Sequence, residues 1–255
     1  MRKGRYPILE FDPAREAVIE PGRVIKPAGV PERCVVCFFH GVLRKLRREG
    51  RTQAIAQLSS EDGTRPVYEL RLRRKRVAVF HPGVGAALVA AWLEEAIALG
   101  CRKFIACGAA GVLDREIAAG HIVVPASAVR DEGTSYHYLP PGREVGANPK
   151  ALAAIETVLK RHGCRYVIGK TWTTDAFYRE TPAKVRLRRA EGCLTVEMEA
   201  AAFFAVAQFR KLPFAQMLYG GDDVSGRDWD PRGWYSRVPV RERLFWLAAE
   251  ACLLL

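Results

Sequence analysis

The stretch that decides the fold is Lys103-Phe104-Ile105-Ala106-Cys107, followed directly by Gly108-Ala109-Ala110-Gly111. A short apolar run bounded by glycines is typical of a buried β-strand that ends in a turn. A similar run, residues 76–80, leads into Pro82-Gly83-Val84-Gly85. The two glycine stretches therefore predict turns at the carboxyl ends of neighbouring strands, where open α/β sheets bind their ligands.

Strands and helices alternate on both sides of this region. Apolar runs predict further strands at residues 34–39, 122–125, 166–170 and 214–219, and an alternating pattern predicts a half-exposed strand at residues 67–72. Helical patterns follow at residues 42–49, 86–99, 149–161, 197–210 and 240–254. Strands that are buried on both faces and separated by helices indicate a central sheet between helical layers. We therefore expect an α/β fold, a single-domain three-layer sandwich with a central mixed sheet flanked by helices.

The division of the chain follows from its length and from the position of the first strand. With 255 residues and 49% hydrophobic content, the chain can bury one large core. We expect residues 1–33 to form an N-terminal extension that packs on the core, and residues 34–255 to form the domain. No apolar run reaches the roughly 20 residues that span a bilayer, and the N-terminus lacks a signal-peptide pattern. These features predict a cytoplasmic protein without a membrane partner.

The net charge of +12 raises the possibility of nucleic-acid binding. Basic residues cluster at 44–51, 71–76 and 184–189, but aromatic side chains do not alternate with them as a surface that binds single strands requires. We therefore expect no nucleic-acid partner. A basic surface also attracts small anions, including phosphate esters.

The seven cysteines predict free thiols, not a metal site. Cys34 and Cys37 have CxxC spacing, but they lie in a predicted buried strand. No second Cys or His pair stands at zinc spacing, so we expect no metal. A dinucleotide cofactor is also disfavoured, because Gly83 and Gly85 lack the third glycine of its fingerprint.

The acidic motif Val196-Glu197-Met198-Glu199-Ala200 precedes an almost uncharged apolar stretch. If both acids belong to one helix, they point about 200° apart, so only one of them can face a pocket. An ionised carboxylate can accept hydrogen bonds from both vicinal hydroxyls of a ribose. The alternative is an ordinary acidic residue at a helix N-terminus, where the macrodipole favours it. The motif alone leaves both interpretations open.

Six motifs, in the family's order, resemble the nucleoside phosphorylase superfamily, which includes uridine phosphorylase, hexameric purine nucleoside phosphorylase and methylthioadenosine nucleosidase. They are Pro82-Gly83-Val84-Gly85, Cys107-Gly108-Ala109-Ala110-Gly111-Val112-Leu113, Ala119-Gly120-His121-Ile122-Val123-Val124-Pro125, Thr174-Asp175-Ala176-Phe177-Tyr178, Val196-Glu197-Met198-Glu199-Ala200 and Asp223-Val224-Ser225. The resemblance implies a phosphorylase-like fold and a glycosyltransferase of the pentosyltransferase type. Such an enzyme cleaves a purine or pyrimidine nucleoside with phosphate, giving free base and ribose 1-phosphate. It implies a nucleoside and phosphate as ligands, with phosphate as co-substrate and no further cofactor. It also implies a role in nucleoside metabolism such as purine salvage, and a homo-oligomer, either a dimer or a trimer of dimers.

The resemblance also assigns roles to individual residues. Glu199 would hold the ribose 2′- and 3′-hydroxyls, with Met198 packed against the sugar, and Phe177 would stack on the base. Asp223 would protonate N7 of a departing purine, and burial together with the neighbouring Asp222 is expected to raise its pKa. The alternative for Asp223 is a polar loop after a strand. Because residues 174–178 look closer to the uridine branch, both base classes stay open.

The phosphate end departs from the family. The resemblance places Gly41, Gly83 and Gly108 there, but Ala106 and Ala109 stand where phosphorylases of the family carry an arginine and a threonine. Gly41-Val42-Leu43 likewise replaces a Gly-Asp-Pro loop, and no N-terminal histidine matches the family residue that contacts the sugar across a subunit interface. Arg65 and Arg44 are the candidates to bind the anion instead. Three functions follow: a phosphorylase with a rebuilt phosphate site, which we favour, a nucleosidase that uses water, or a non-catalytic nucleoside-binding protein.

Overall fold

A computed structural model describes residues 3–61 and 63–255. The strands are β1 Arg33–Cys37, β2 Thr52–Ser60, β3 Gly63–Leu72, β4 Lys75–Phe80, β5 Lys103–Val112, β6 Ile122–Asp131, β7 Glu144–Gly146, β8 Tyr166–Thr174, β9 Cys193–Glu197 and β10 Phe214–Asp223. The helices are α1 Pro21–Val24, α2 His40–Arg48, α3 Ala86–Leu99, α4 Pro149–Arg161, α5 Pro182–Ala190, α6 Ala200–Arg210 and α7 Val238–Cys252.

One mixed sheet forms the centre of the fold. The strand order is β10-β6-β8-β9-β5-β1-β4-β3-β2, with β7 beside β6, and β10 also pairs with β5. Strand β1 runs parallel to β4 and β5, whereas β2, β3 and β4 are joined as antiparallel neighbours. Helices α3 and α6 pack together in one layer, and α2, α4 and α7 form the other. The predicted α/β sandwich with a central mixed sheet is confirmed.

The predicted glycine turn at residues 108–111 is wrong, because strand β5 continues through it to Val112. Here β5 pairs with β10, with Leu218 opposite Gly108, and with β9, with Val196 opposite Gly111. A Cβ atom on Gly111 would lie 3.1 Å from Val196 Cγ1. The glycine therefore allows β9 to lie close to β5 instead of bending the chain.

Five elements, α1, β2, β7, β9 and α5, were not predicted from the sequence. Strand β2 is mostly exposed, so its residues lack the apolar pattern of a buried strand. Helix α5 contains the basic cluster 184–189, and one of these side chains, Arg188, is buried in an ion pair with Asp131 at 3.0 Å.

In the part of the chain that the structure describes, no helix is long and apolar enough to cross a membrane.

The segment before β1 contacts the helical layer of α3 and α6. The Ala28 backbone N–H donates to the Leu99 carbonyl at 3.1 Å, and Glu20 pairs with Arg210 at 3.5 Å. The separation of residues 1–33 from a domain at 34–255 stays a prediction. All seven cysteines are free thiols, and six of them are buried.

The two-residue turn between β3 and β4 contains an arginine whose backbone strain a glycine would remove. Both central residues have positive φ, 49° at Arg73 and 62° at Arg74, as a primed hairpin turn requires. Left-handed backbone costs a non-glycine residue about 1–2 kcal/mol. Because Arg73 pairs with Glu250 at 2.9 Å, we expect Arg74→Gly to relieve strain without breaking this contact.

Part of that gain is offset by the greater freedom of glycine in the unfolded chain, so the free energy of unfolding should rise by about 0.5–1 kcal/mol. Urea denaturation would measure the change. The control is Lys75→Gly, at a strand position without positive φ, which should lower stability. An Arg74→Gly variant no more stable than the wild type would contradict the prediction.

Candidate active site

The two acids of the 196–200 motif occupy different structural positions. Glu197 is the last residue of β9, and α6 begins only at Ala200. Glu197 Oε2 accepts hydrogen bonds from the backbone N–H groups of Glu199 at 2.7 Å and Ala200 at 2.6 Å. Its Oε1 accepts from the Thr173 hydroxyl at 2.6 Å. The prediction that both acids lie on one helix is wrong, because these contacts end the strand and fix the start of α6.

Glu199 links the beginnings of two helices. Its Oε1 accepts from the Gly85 backbone N–H at 2.8 Å, immediately before α3, and its Oε2 accepts from the Met198 N–H at 3.3 Å. The residue is only 6% exposed. Burial, followed by repulsion from Glu197, raises the pKa of Glu199 to about 8. Burial likewise raises the pKa of Glu197 to about 7, against the effect of its hydrogen-bond donors. Ionisation of both carboxyl groups at once is therefore disfavoured near neutral pH.

The predicted turn at residues 82–85 is confirmed, and it carries the site. Gly83 and Gly85 have φ of 77° and 95°, and a Cβ atom on Gly83 would lie 2.4 Å from Leu88 Cδ2. Arg65 Nη2 lies 3.7 Å from that same position. The Gly83 N–H donates to His81 Nδ1 at 3.0 Å. Sequence reasoning placed Arg65 at this end of the site, and the structure brings it beside Gly83.

A cavity of about 180 Å³ opens between α2 and β3, next to this turn. Its polar lining residues are His40, Arg44, Arg47, Thr64, Arg65, Tyr68 and His81. The two candidate arginines of the sequence analysis therefore line one cavity. Gly41 lies beside it in the first turn of α2 instead of in a loop, and nothing stands within 4 Å of a Cβ atom built there.

Gly108 does not line this cavity. It is buried within β5, where a Cβ atom would lie 3.2 Å from Phe38 Cδ2 and 3.5 Å from Leu218 Cδ2. Gly108 was predicted to lie at the phosphate end because the sequence indicated a turn at residues 108–111. Strand β5 continues through these residues instead. Ala106 is fully buried in the same strand.

Phe177 lies in a short 3-10 turn and is 50% exposed, with its ring centroid 4.1 Å from that of Tyr178. The ring is therefore accessible to a planar ligand. Glu180 follows this turn, and burial, followed by repulsion from Asp222, raises its pKa to about 7.

Asp223 does not have the raised pKa that the sequence predicted. Burial does oppose its ionisation, but hydrogen bonds from Ser225 and the charge of Arg232 outweigh burial and lower its pKa. Its carboxylate accepts from the Ser225 N–H at 2.7 Å and pairs with Arg232 at 2.5 Å. Sequence reasoning did not include Arg232, which follows Asp223 by only nine positions.

Sequence reasoning also missed two histidines of the cavity. His40 directly precedes Gly41, and His81 directly precedes the motif at residues 82–85. Both follow predicted buried strands at the edge where ligands bind, a signal that could have identified them. Among the described residues, no group of three or more His, Cys, Asp or Glu side chains is arranged to hold a metal ion.

Comparison with known proteins adds a family match. A model described as the phosphorylase superfamily matches residues 32–231. The chain is 30% identical over 153 residues to uridine phosphorylase of Treponema pallidum, an alignment that covers 56% of this chain and 59% of that protein. It is 30% identical over 130 residues to guanosine phosphorylase of Halorubrum lacusprofundi, covering 51% and 54% of the two chains. The chain therefore spans little more than half the length of these curated relatives.

Solved structures share the fold at lower identity. Purine nucleoside phosphorylase of Toxoplasma gondii superposes with a TM-score of 0.76 at 19% identity, covering 93% of this chain and 97% of that one. AMP nucleosidase of Bacteroides thetaiotaomicron superposes with a TM-score of 0.70 at 22% identity, covering 88% of each chain. At these identities the likeness shows the fold alone.

Proposed function

Since the chain belongs to the phosphorylase superfamily, we propose that it is a pentosyltransferase that cleaves the N-glycosidic bond of a nucleoside with phosphate. The products would be a free base and ribose 1-phosphate. The chain's similarity both to a uridine and to a guanosine phosphorylase keeps pyrimidine and purine nucleosides as substrates.

One observation carries this proposal: a single short turn contacts both a buried carboxylate and a cationic cavity. The Gly85 N–H binds Glu199 at 2.8 Å, and the guanidinium of Arg65 lies beside Gly83. A ribose whose hydroxyls donate to Glu199 would lie next to an anion in the cavity. Arg44 and Arg65 would hold that anion in place of the missing family arginine at Ala106.

The chemistry follows from the charges that develop. Breaking an N-glycosidic bond builds positive charge on the ribose and negative charge on the base, as in glycoside hydrolysis. Glu199 would orient the sugar, Met198 would pack against it and Phe177 would stack on the base. Because its pKa is lowered, Asp223 would accept a hydrogen bond from a base N–H at neutral pH and would not supply the proton for a departing purine.

Hydrolysis by water is the second candidate, and a specific observation favours it. Ala106 and Ala109 cannot bind an anion through their side chains, and Gly108 is packed against Phe38. A non-catalytic nucleoside-binding protein on the same scaffold is the third candidate.

Exposed apolar side chains, such as Tyr178 at 88% and Tyr235 at 67%, support the accompanying proposal of a homo-oligomer, as a dimer or trimer of dimers. A cytoplasmic role in purine salvage is also proposed.

The deciding experiment is incubation with a panel of purine and pyrimidine nucleosides, with and without phosphate, followed by identification of the sugar product. Phosphorolysis gives ribose 1-phosphate and stops without phosphate. Free ribose that forms equally fast in phosphate-free buffer would establish hydrolysis instead. No base release from any nucleoside would favour the binding protein.

Arginine variants test the rebuilt anion site. Hydrogen bonds to charged groups contribute about 1.5–3 kcal/mol, so Arg65→Gln and Arg44→Gln should each raise the KM for phosphate by about 10- to 100-fold. The KM for the nucleoside should change little. The matched control is Arg48→Gln, one turn further along the same helix α2, where the arginine does not line the cavity. If Arg44→Gln and Arg48→Gln change the KM for phosphate equally, Arg44 does not bind the phosphate.

A further inference from the structure

His81 holds the site turn through both of its ring nitrogens. Nδ1 accepts a hydrogen bond from the Gly83 N–H at 3.0 Å, and Nε2 lies 3.2 Å from the Phe38 carbonyl oxygen, to which only an N–H can donate. These contacts require the neutral tautomer with its proton on Nε2. Burial, followed by the charges of His40 and Arg65, lowers the pKa of His81 to about 4. His81 is therefore a fixed neutral ring at neutral pH.

His40 stacks on this ring and faces the cavity. The two ring centroids are 3.7 Å apart with an interplanar angle of 12°. His40 is exposed at the cavity, and within the described residues neither of its ring nitrogens makes a hydrogen bond. Among the described residues, the charged and titratable groups that line the cavity with it are Arg44 and Arg47 on α2, Arg65 and Tyr68 on β3, and His81 after β4.

The proposed reaction leaves one proton to be moved. When monohydrogen phosphate attacks C1′, the new C1′–O bond forms and the C1′–N bond breaks, with its electron pair going to the base. Overall, the phosphate gives up its O–H proton and the base gains one, and the two ends of the site exchange these protons with solvent. Attack by water has the same balance, because one water proton ends on the base. Water must lose a proton as it attacks, and monohydrogen phosphate, which attacks through an unprotonated oxygen, must still give up its O–H proton, so a proton acceptor at the nucleophile's end of the site would assist either reaction.

We propose that His40 accepts the proton that leaves the attacking nucleophile, and that His81 is the residue that positions it. Of the described residues that line the cavity, the other polar side chains besides His81 are three arginines, Thr64 and Tyr68, and none of them offers an imidazole nitrogen as acceptor. An unprotonated imidazole with a free nitrogen is the acceptor that the cavity offers. This inference rests on the proposed function.

The surroundings of His40 keep it able to accept. Burial, followed by the charges of Arg65 and Arg44, lowers the pKa of His40 from its usual value. The ring therefore stays neutral to lower pH than an ordinary histidine, and loses its acceptor only when acid protonates it. The stack on neutral His81 fixes the ring without adding a charge.

The test is the pH dependence of kcat at saturating nucleoside and phosphate, because kcat reports the ionisations of the enzyme with its substrates bound. Wild-type kcat should fall on the acid side with an apparent pKa below about 6.5, the ordinary value for histidine. His40→Gln should lower kcat by about 10²–10⁴-fold and abolish that acid limb. Added imidazole should restore activity to His40→Ala, since it supplies the missing acceptor.

Two variants separate positioning by His81 from simple packing. His81→Asn can keep a donor for the Phe38 carbonyl and an acceptor for the Gly83 N–H, whereas His81→Phe keeps a ring but loses both bonds. We expect His81→Asn to retain more activity than His81→Phe, with the acid limb still present. The control is His162→Gln, at a histidine that pairs with Glu250 outside the cavity at 3.2 Å.

The outcomes distinguish this inference from the proposed function. If the wild type releases base and His40→Gln matches its kcat and acid limb, the role of His40 is overturned while the function stands. If the wild type releases no base from any nucleoside, the proposed function fails and this inference fails with it. NMR titration of the His40 ring does not depend on turnover, and a pKa at or above the ordinary value would also overturn it.

Discussion

The Glu199→Gln variant is expected to lose about 2–3 kcal/mol of transition-state stabilisation, or roughly 30- to 150-fold in kcat/KM for nucleosides. Glutamine keeps an oxygen acceptor for one sugar hydroxyl, but it lacks the charge that strengthens both hydrogen bonds as positive charge develops on the ribose. Steady-state kinetics on the best nucleoside of the panel would measure the loss. Turnover equal to the wild type would remove Glu199 from the sugar site.

The same substitution should stabilise the ligand-free protein at alkaline pH. Folding raises the pKa of Glu199 to about 8, above its usual value of 4.5. A raised pKa stabilises the folded state at pH values below the unfolded pKa, and this contribution is lost as pH rises through the folded pKa. Glutamine carries no buried charge, so Glu199→Gln should exceed the wild type in free energy of unfolding by about 1 kcal/mol or more at roughly pH 8. The difference should shrink toward about pH 5, and urea denaturation at both values would check it.

Glu197→Ala is expected to show the largest loss of stability, about 3–5 kcal/mol. The substitution leaves three buried donors without their acceptor: the Thr173 hydroxyl and the N–H groups of Glu199 and Ala200. Because these donors fix the junction between β9 and α6, their loss should loosen the start of the helix. The urea midpoint measures the effect.

Glu197→Gln is the matched control, since its amide oxygen can still accept some of these bonds, and it should be less destabilised than the alanine variant. Its main effect should be on stability, in contrast to Glu199→Gln. If Glu197→Gln instead loses turnover while Glu199→Gln keeps it, the roles of the two acids are reversed.

Local signals made two helices predictable to the residue. Helix α3 runs Ala86–Leu99 and ends at Gly100, whose φ of 131° suits only glycine. Helix α4 runs Pro149–Arg161, and the Asn148 side chain accepts from the Ala151 N–H at its start. Caps, prolines and glycines act within a few residues, so the sequence contains their whole effect.

The course of the chain around residues 108 and 197 was not predictable in this way. The predicted strand at 103–107 continues through Gly108, because β10 and β9 supply partners from residues far along the chain. The sequence extended α6 back to Glu197, although that residue belongs to β9. Whether small or acidic residues form a turn, a strand or a helix there depends on which backbone lies beside them.

The sequence by itself determined the alternation of strands and helices, the family motifs and the residue types available to the site, because periodicity and turn residues act locally. Only the tertiary structure decided how those residues are used. It placed Arg65 beside Gly83, stacked His40 on His81 and paired Asp223 with Arg232. The charge state of a side chain depends on its burial and on neighbours brought from distant positions. For this reason the pKa of Asp223 is lowered where the sequence predicted that it would rise.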